Sequence, residues 1–167
     1  PVSWQDVVIN EGTLTATVIP AATAGLKTFF DGSGRAGTFE TAVGYTLGGD
    51  FTLNAGPNPF TDGQRARIIN ANGLTYAPSA ENLPDVTPLL SFSMDVGPNA
   101  ADIVASVEAF SSVAATADQT ALAQSFDDTL AAADASFYDT DLAYTMGAIQ
   151  KLGDATDIQA AYDALLP

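Results

Sequence analysis

Thr38-Phe39-Glu40-Thr41-Ala42-Val43-Gly44-Tyr45-Thr46-Leu47 is followed at once by Gly48-Gly49-Asp50 and Phe51-Thr52-Leu53. Its alternation puts Phe39, Val43, Tyr45 and Leu47 on one face, the period of a half-buried strand. The Gly-Gly-Asp turn then predicts that Phe51–Leu53 returns beside it. Working outward, Thr13–Ile19 alternates Thr with apolar residues up to Pro20. Arg65–Ile69 and Leu74–Tyr76 flank Asn70-Ala71-Asn72-Gly73, whose Asn-Gly pair is a hairpin signal. Leu89–Val96 is the last strand candidate. About five to seven short strands between turn signals predict an antiparallel β-sandwich or small barrel.

The character of the chain changes at Val96-Gly97-Pro98-Asn99, after which Ala-rich segments take helical spacing. About four helices are expected. Asn99 caps the first, with Ile103, Val107 and Phe110 as its stripe. Asp118 opens the second, carrying Leu122, Phe126, Leu130 and Phe137. Asp139 caps the third, with Leu142, Met146 and Ile149, ending at Gly153. Thr156 starts the fourth, with Ile158, Tyr162 and Leu165. The expectation is an α+β chain, with a β-rich subdomain over 1–97 and a helical subdomain over 98–167. Gly12-Thr13-Leu14-Thr15, Gly37-Thr38-Phe39-Glu40 and Gly49-Asp50-Phe51-Thr52 echo one another. Their irregular spacing reads as repeated strand entry from a glycine turn, not as a solenoid.

The 167 residues are enough to bury a core without disulfides. A hydrophobic fraction of 47% is that of a globular protein. There is no Cys and no His, which removes thiolate nucleophiles, Cys/His zinc sites and an imidazole base together. A general base would have to be a carboxylate, a Tyr, Lys27 or Lys151. Twenty acidic residues against five basic ones give a net charge of −15, which argues against direct nucleic-acid binding and against an anionic membrane surface. Such a surface suits a salty medium, where screening shortens self-repulsion. No apolar run reaches bilayer length, and Pro1–Asp6 lacks the basic and apolar regions of a signal peptide, so synthesis in a cytoplasm is expected.

Asp31-Gly32-Ser33-Gly34-Arg35 offers hard-ion ligands for calcium, but an EF-hand would need acids where Arg35 and Ala42 stand. Gly32–Gly37 also matches Gly-x-Gly-x-x-Gly, without the following helix or the Walker lysine that phosphate binding requires. Asp62-Gly63-Gln64-Arg65 echoes the first loop, and each follows a Phe, Phe30 or Phe60. The functional reading of the pair is two exposed loops presenting carboxylate and guanidinium to a partner; the plainer one is two glycine turns with local ion pairs. Trp4 is either a core anchor or a docking arm. Asp127, Asp128, Asp134, Asp139 and Asp141 read as a solvated face, with Asp139 and Asp141 the candidates for a divalent ion.

No catalytic residue, cofactor or metal site is expected. The expected partners are other protein subunits in an oligomeric assembly. In its lack of Cys and its abundance of Thr, Gly, Ala and Asn the composition resembles capsid-decorating and tail proteins of marine phages, and no motif carries that resemblance. It implies a virion component of a tailed phage. The alternatives are a secreted or cell-surface binding module of a salt-adapted microbe, and a carboxylate-based hydrolase.

Overall fold

A computed structural model describes residues 4–167. The described chain is mixed α/β, with eleven strands in three sheets and three α-helices. In chain order the strands are β1 Val7–Val8, β2 Thr13–Thr15, β3 Leu26–Phe30, β4 Thr38–Glu40, β5 Tyr45–Leu47, β6 Phe51–Ala55, β7 Arg65–Asn70, β8 Leu74–Tyr76, β9 Glu81–Asn82, β10 Leu90–Val96 and β11 Ala100–Val107. A 3-10 turn at Phe110–Val113 leads to α1 Ala117–Ala131, α2 Asp141–Gln150 and α3 Ala155–Leu165.

The sheets are ordered β1-β3-β6-β9, β10-β11-β7-β4-β2 and β5-β8. Up to β9 every pairing between strands is parallel, with one isolated antiparallel bridge, Phe30 to Ala36, across a corner. The chain therefore visits the three sheets in rotation, each strand stacking on one from the previous turn. Leu26 pairs with Phe51 and Phe51 with Glu81; Phe39 pairs with Ile69, and Tyr45 with Leu74. This is a short parallel β-solenoid, climbing about 4.8 Å per coil. Parallel partners need a long crossover, and here the rest of the coil supplies it in place of a helix. The antiparallel sandwich or barrel expected above is not what forms. Period-2 alternation measures only that one face of a strand is buried, and a solenoid strand satisfies it equally.

The turns differ accordingly. β6 does not return beside β5 but starts a new coil on β3. Asn70–Gly73 is a corner between two sheets, not a hairpin; Gly73 takes φ +104° and donates its N–H to Asn99 Oδ1 at 2.9 Å. The glycine echo is the coil period itself, since Thr13, Leu14 and Thr15 stand opposite Thr38, Phe39 and Glu40. It looks irregular because Gly49–Thr52 opens a strand of a different sheet. Thr13–Ile19 forms a strand only over its first three residues, all exposed, and Val43 lies exposed at a corner.

The interior is filled by Leu26, Phe30, Phe39, Tyr45, Leu47, Phe51, Leu53 and Ile69, all buried. Phe60 stands between Phe30 and Phe92 with ring centroids 5.1 and 5.0 Å away, both edge to face. Winding ends where β11 runs antiparallel to β7 and β10 returns along β11. The register skips Ile68 between Ala101 and Asp102, so this bulge buries both Ile68 and Ile69. Ala100–Val107 was expected as the first helix. Its Ala residues favour helix, but pairing on both edges decides for strand, with Ala101, Ile103 and Ala105 facing in. The break at Val96–Asn99 is thus a turn within one sheet.

The three helices enclose their own core of Phe110, Ala123, Phe126, Met146, Ile149, Ile158 and Tyr162, joined by Leu89 from the strand side. Their N-caps are Thr116, Thr140 and Asp154, each accepting from a first-turn N–H; Asp118 falls inside the first turn and Asp139 just outside. Phe137 lies beyond α1, and Lys151, not Gly153, follows the end of α2.

Close stacking leaves no room for side chains at some corners. A Cβ on Gly32 would lie 1.9 Å from the Pro59 carbonyl oxygen, whereas one on Gly153 meets nothing within 4 Å. Gly32→Ala should cost at least about 2 kcal/mol in urea unfolding. Gly153→Ala should be neutral or stabilising by up to about 1 kcal/mol.

Candidate functional site

The densest polar cluster joins the solenoid to the helices at the corner between its first two sheets. Asp31 directly follows β3 and is buried, yet carries a carboxylate. Its Oδ1 accepts the Asn58 N–H at 3.0 Å; its Oδ2 accepts Asn58 Nδ2 at 2.8 Å, the Ser33 N–H at 3.1 Å and the Ser33 hydroxyl. Burial pushes this carboxyl's pKa up, but the hydrogen bonds from Ser33 and Asn58 outweigh that and hold it below its ordinary value.

Asn58 lies between Pro57 and Pro59, and the proline that follows it biases its backbone towards extended conformations. Its Nδ2 also donates to Asp139 Oδ1 at 2.9 Å, and its Oδ1 accepts the Asp139 N–H at 2.9 Å. Asp139, in the left-handed region at φ +64°, is thereby fixed just before α2. Asp139 Oδ1 also accepts Arg35 Nη2 at 2.9 Å and the Tyr144 hydroxyl at 3.2 Å. The Asn58 hydrogen bond and the Arg35 charge hold the Asp139 carboxyl low. Arg35 continues the chain of contacts, donating Nε to Ser33 Oγ at 3.1 Å and lying 3.5 Å from Asp31.

Helix α2 closes the joint. Gln150 is fully buried; its Oε1 accepts the Phe60 N–H and its Nε2 donates to the Phe60 carbonyl, both at 2.8 Å. This side chain pairs with the corner as a strand would. A Cβ on Gly147 would lie 2.0 Å from the Pro57 carbonyl oxygen, so only glycine lets α2 approach this far. Lys151 donates to the Gly56 carbonyl; burial lowers its pKa, and nearby Asp31 opposes that shift.

The residues singled out in the sequence divide between core, joint and surface. Phe30 and Phe60 are fully buried in the solenoid core, so neither is available to a partner. Asp31 and Arg35 enter the joint, and Arg35 remains largely exposed at its side chain. Asp62 accepts the Val107 N–H at 3.0 Å, tying its corner to the end of β11. Arg65 pairs with Asp95 and lies 3.7 Å from Asp102, which also accepts Arg67 Nε at 3.0 Å. These exposed ion pairs across β7, β11 and β10 are worth about 0–1 kcal/mol each. Trp4 packs on the solenoid core, half-buried. Among the acids expected to be solvated, Asp127 accepts from the Phe110 and Ser111 N–H groups at 2.7 and 3.1 Å.

Asp141 lies exposed in the first turn of α2. Among the described residues no three acidic side chains converge as a metal site would require. Both Asp31 oxygens already accept from N–H or O–H donors. Asn58, Gly147 and Gln150 escaped the sequence reading; the Pro-Asn-Pro triplet was the one available signal.

A cleft of about 610 Å³ opens beside this joint, lined by Asn10, Glu11, Phe29, Arg35, Gly56 and Pro57. Comparison with protein families, with curated proteins and with solved structures returned no match.

Asp31 and Asp139 both titrate below the ordinary 3.8, so their contribution to stability is full well above pH 4 and is lost as pH falls through their lowered folded-state values. Asn58→Ala should lower stability at neutral pH by about 1–3 kcal/mol. It should also flatten the dependence on pH below about 4, as read by urea unfolding across a pH series.

Proposed function

We propose that this chain is a non-catalytic assembly protein whose partners are other protein subunits. The observation that carries the reading is the outer edge of the first coil. Among the described residues, β1 pairs only with β3 and β2 only with β4. Soluble proteins usually blunt such an edge with lysine, proline or a covering segment. Thr13-Leu14-Thr15 carries no charge and no proline, and Leu14, Val8 and Val18 are exposed around it. An incoming strand from another subunit would satisfy the free backbone groups and cover these side chains.

The polar joint supports the same reading. Its carboxylates, amides and guanidinium are bonded to one another across the solenoid–helix boundary, as fits a structural role. A virion component of a tailed phage, decorating the capsid or built into the tail, is the setting we put first. The net charge of −15 favours protein over nucleic acid as the partner. No helix among the described residues is long and apolar enough to cross a membrane. A secreted or cell-surface binding module is the second reading, and the cleft beside Arg35 is what favours it.

Light scattering at low and high salt tests the assembly. A closed oligomer or larger species, strengthened by salt as carboxylate repulsion is screened, is the expected result. Leu14→Lys should abolish it while leaving the thermal midpoint of the monomer within about 2 °C. A wild-type chain that stays monomeric at every salt concentration would count against self-assembly through this edge.

A further inference from the structure

We infer that the cleft beside the joint is a binding groove for a short, uncharged saccharide. It runs along one corner of the solenoid across three successive coils, from Asn10-Glu11-Gly12 through Phe29, Asp31 and Arg35 to Gly56-Pro57. At about 4.8 Å per coil the rows of lining groups extend over roughly 10 Å.

Four features of its wall point to a polyhydroxylated guest. Phe29 is the first. It is a half-buried aromatic that faces outward from β3, between the inward Thr28 and Phe30, and so offers a ring to the groove instead of the core. An apolar ring face suits the C–H face of a sugar. The second is a pair of uncommitted polar side chains. Asn10 and Glu11 are exposed, and neither makes a side-chain hydrogen bond among the described residues. Together they offer amide donors, an amide acceptor and a carboxylate, the mixture that hydroxyl groups require.

The third is Arg35. Its Nε and Nη2 are held by Ser33 and Asp139, which fixes the plane of the guanidinium and leaves Nη1 to donate. Such a pre-positioned donor loses little side-chain freedom on binding. The fourth is backbone access, since a Cβ on Gly12 would meet nothing within 4 Å.

Charge selects among guests. Glu11 and Asp31, both in the wall, disfavour an anionic sugar. Arg35 is already paired with Asp31 and Asp139, so a basic peptide is the rival guest, and the mixed donors and acceptors beside an aromatic ring favour the neutral saccharide over it.

The test is titration of the full chain, followed by amide chemical shifts, with chitotetraose, cellotetraose, maltotetraose and tetralysine as separate probes. Saturable binding of at least one sugar in the millimolar to micromolar range is expected, with shifts confined to residues 10–12, 29, 35–36 and 56–57. Phe29→Ala should weaken that binding about tenfold or more, and Asn10→Ala by a smaller factor, with unchanged unfolding midpoints. No saturation with any of the three sugars would overturn the inference, as would sugar shifts mapping elsewhere. So would saturation by tetralysine alone, which would mark the groove as a basic-peptide site. The inference does not rest on the assembly reading: a chain that assembles but binds no sugar refutes only the groove, and a monomer that binds sugar refutes only the assembly.

Discussion

Stacking one coil on the next governs this molecule. A strand of three residues, such as β4 or β5, is too short to hold itself; it persists because a ladder partner lies one coil away and its inward side chain meets the equivalent one. Every corner must therefore return the chain to the same sheet at a fixed spacing. That requirement explains the tight glycines, since at Gly32 and Gly49 the neighbouring coil's backbone occupies the place of a Cβ. It also explains the buried Thr28, whose hydroxyl donates to the Gly37 carbonyl at 2.7 Å across the inside of a corner. A polar group buried at a corner needs a partner, which Thr28 finds within its own coil and Asp31 in the next.

A solenoid must also stop. Here the hairpin of β10 and β11 replaces the next parallel strand of the second sheet, and the helices lean on the corner that follows β6. The joint between the two parts is polar from the exposed Arg35 down to the buried Asp31, Asn58 and Gln150. Truncating Gln150 beneath the docked helix would leave both Phe60 main-chain groups buried without a partner, a loss of about 1–3 kcal/mol per group. The helices thus finish the solenoid as well as enclosing a core of their own. One consequence is geometric: the cleft has a wall fixed from both sides, because Arg35 is held by Asp139 from the helical part and by Ser33 from the solenoid.

Much of the local structure was legible. Phe39, Tyr45 and Leu47 are buried as their spacing predicts, although the one strand expected there is two, β4 and β5, in different sheets with Val43 exposed between them; Met146, Ile149, Ile158 and Tyr162 lie in the helical core as expected. The glycine echo was visible too, and its true meaning required knowing that Thr13 faces Thr38. Other features left no local trace. The carboxamide of Gln150 finds its partner ninety residues back in the chain, and Asn58 spans eighty-one residues to Asp139. Phe30 and Phe60 look alike in any loop reading, and nothing in their neighbours announces that both rings turn inward.

By itself the sequence determined which segments alternate, which are helical near the C-terminus, where glycine permits a turn, and that the surface is strongly acidic. These are local properties, set by side-chain period, propensity and charge count. Only the tertiary structure decided that the strands stack in parallel, that Ala100–Val107 is a strand, and that Asp31, Asn58 and Asp139 meet. A strand's period is the same whichever neighbour it finds, and an Ala-rich stretch takes the form its flanking strands impose. Pairing is chosen by contacts between residues far apart in the chain, where burial and ladder hydrogen bonds outweigh local preference.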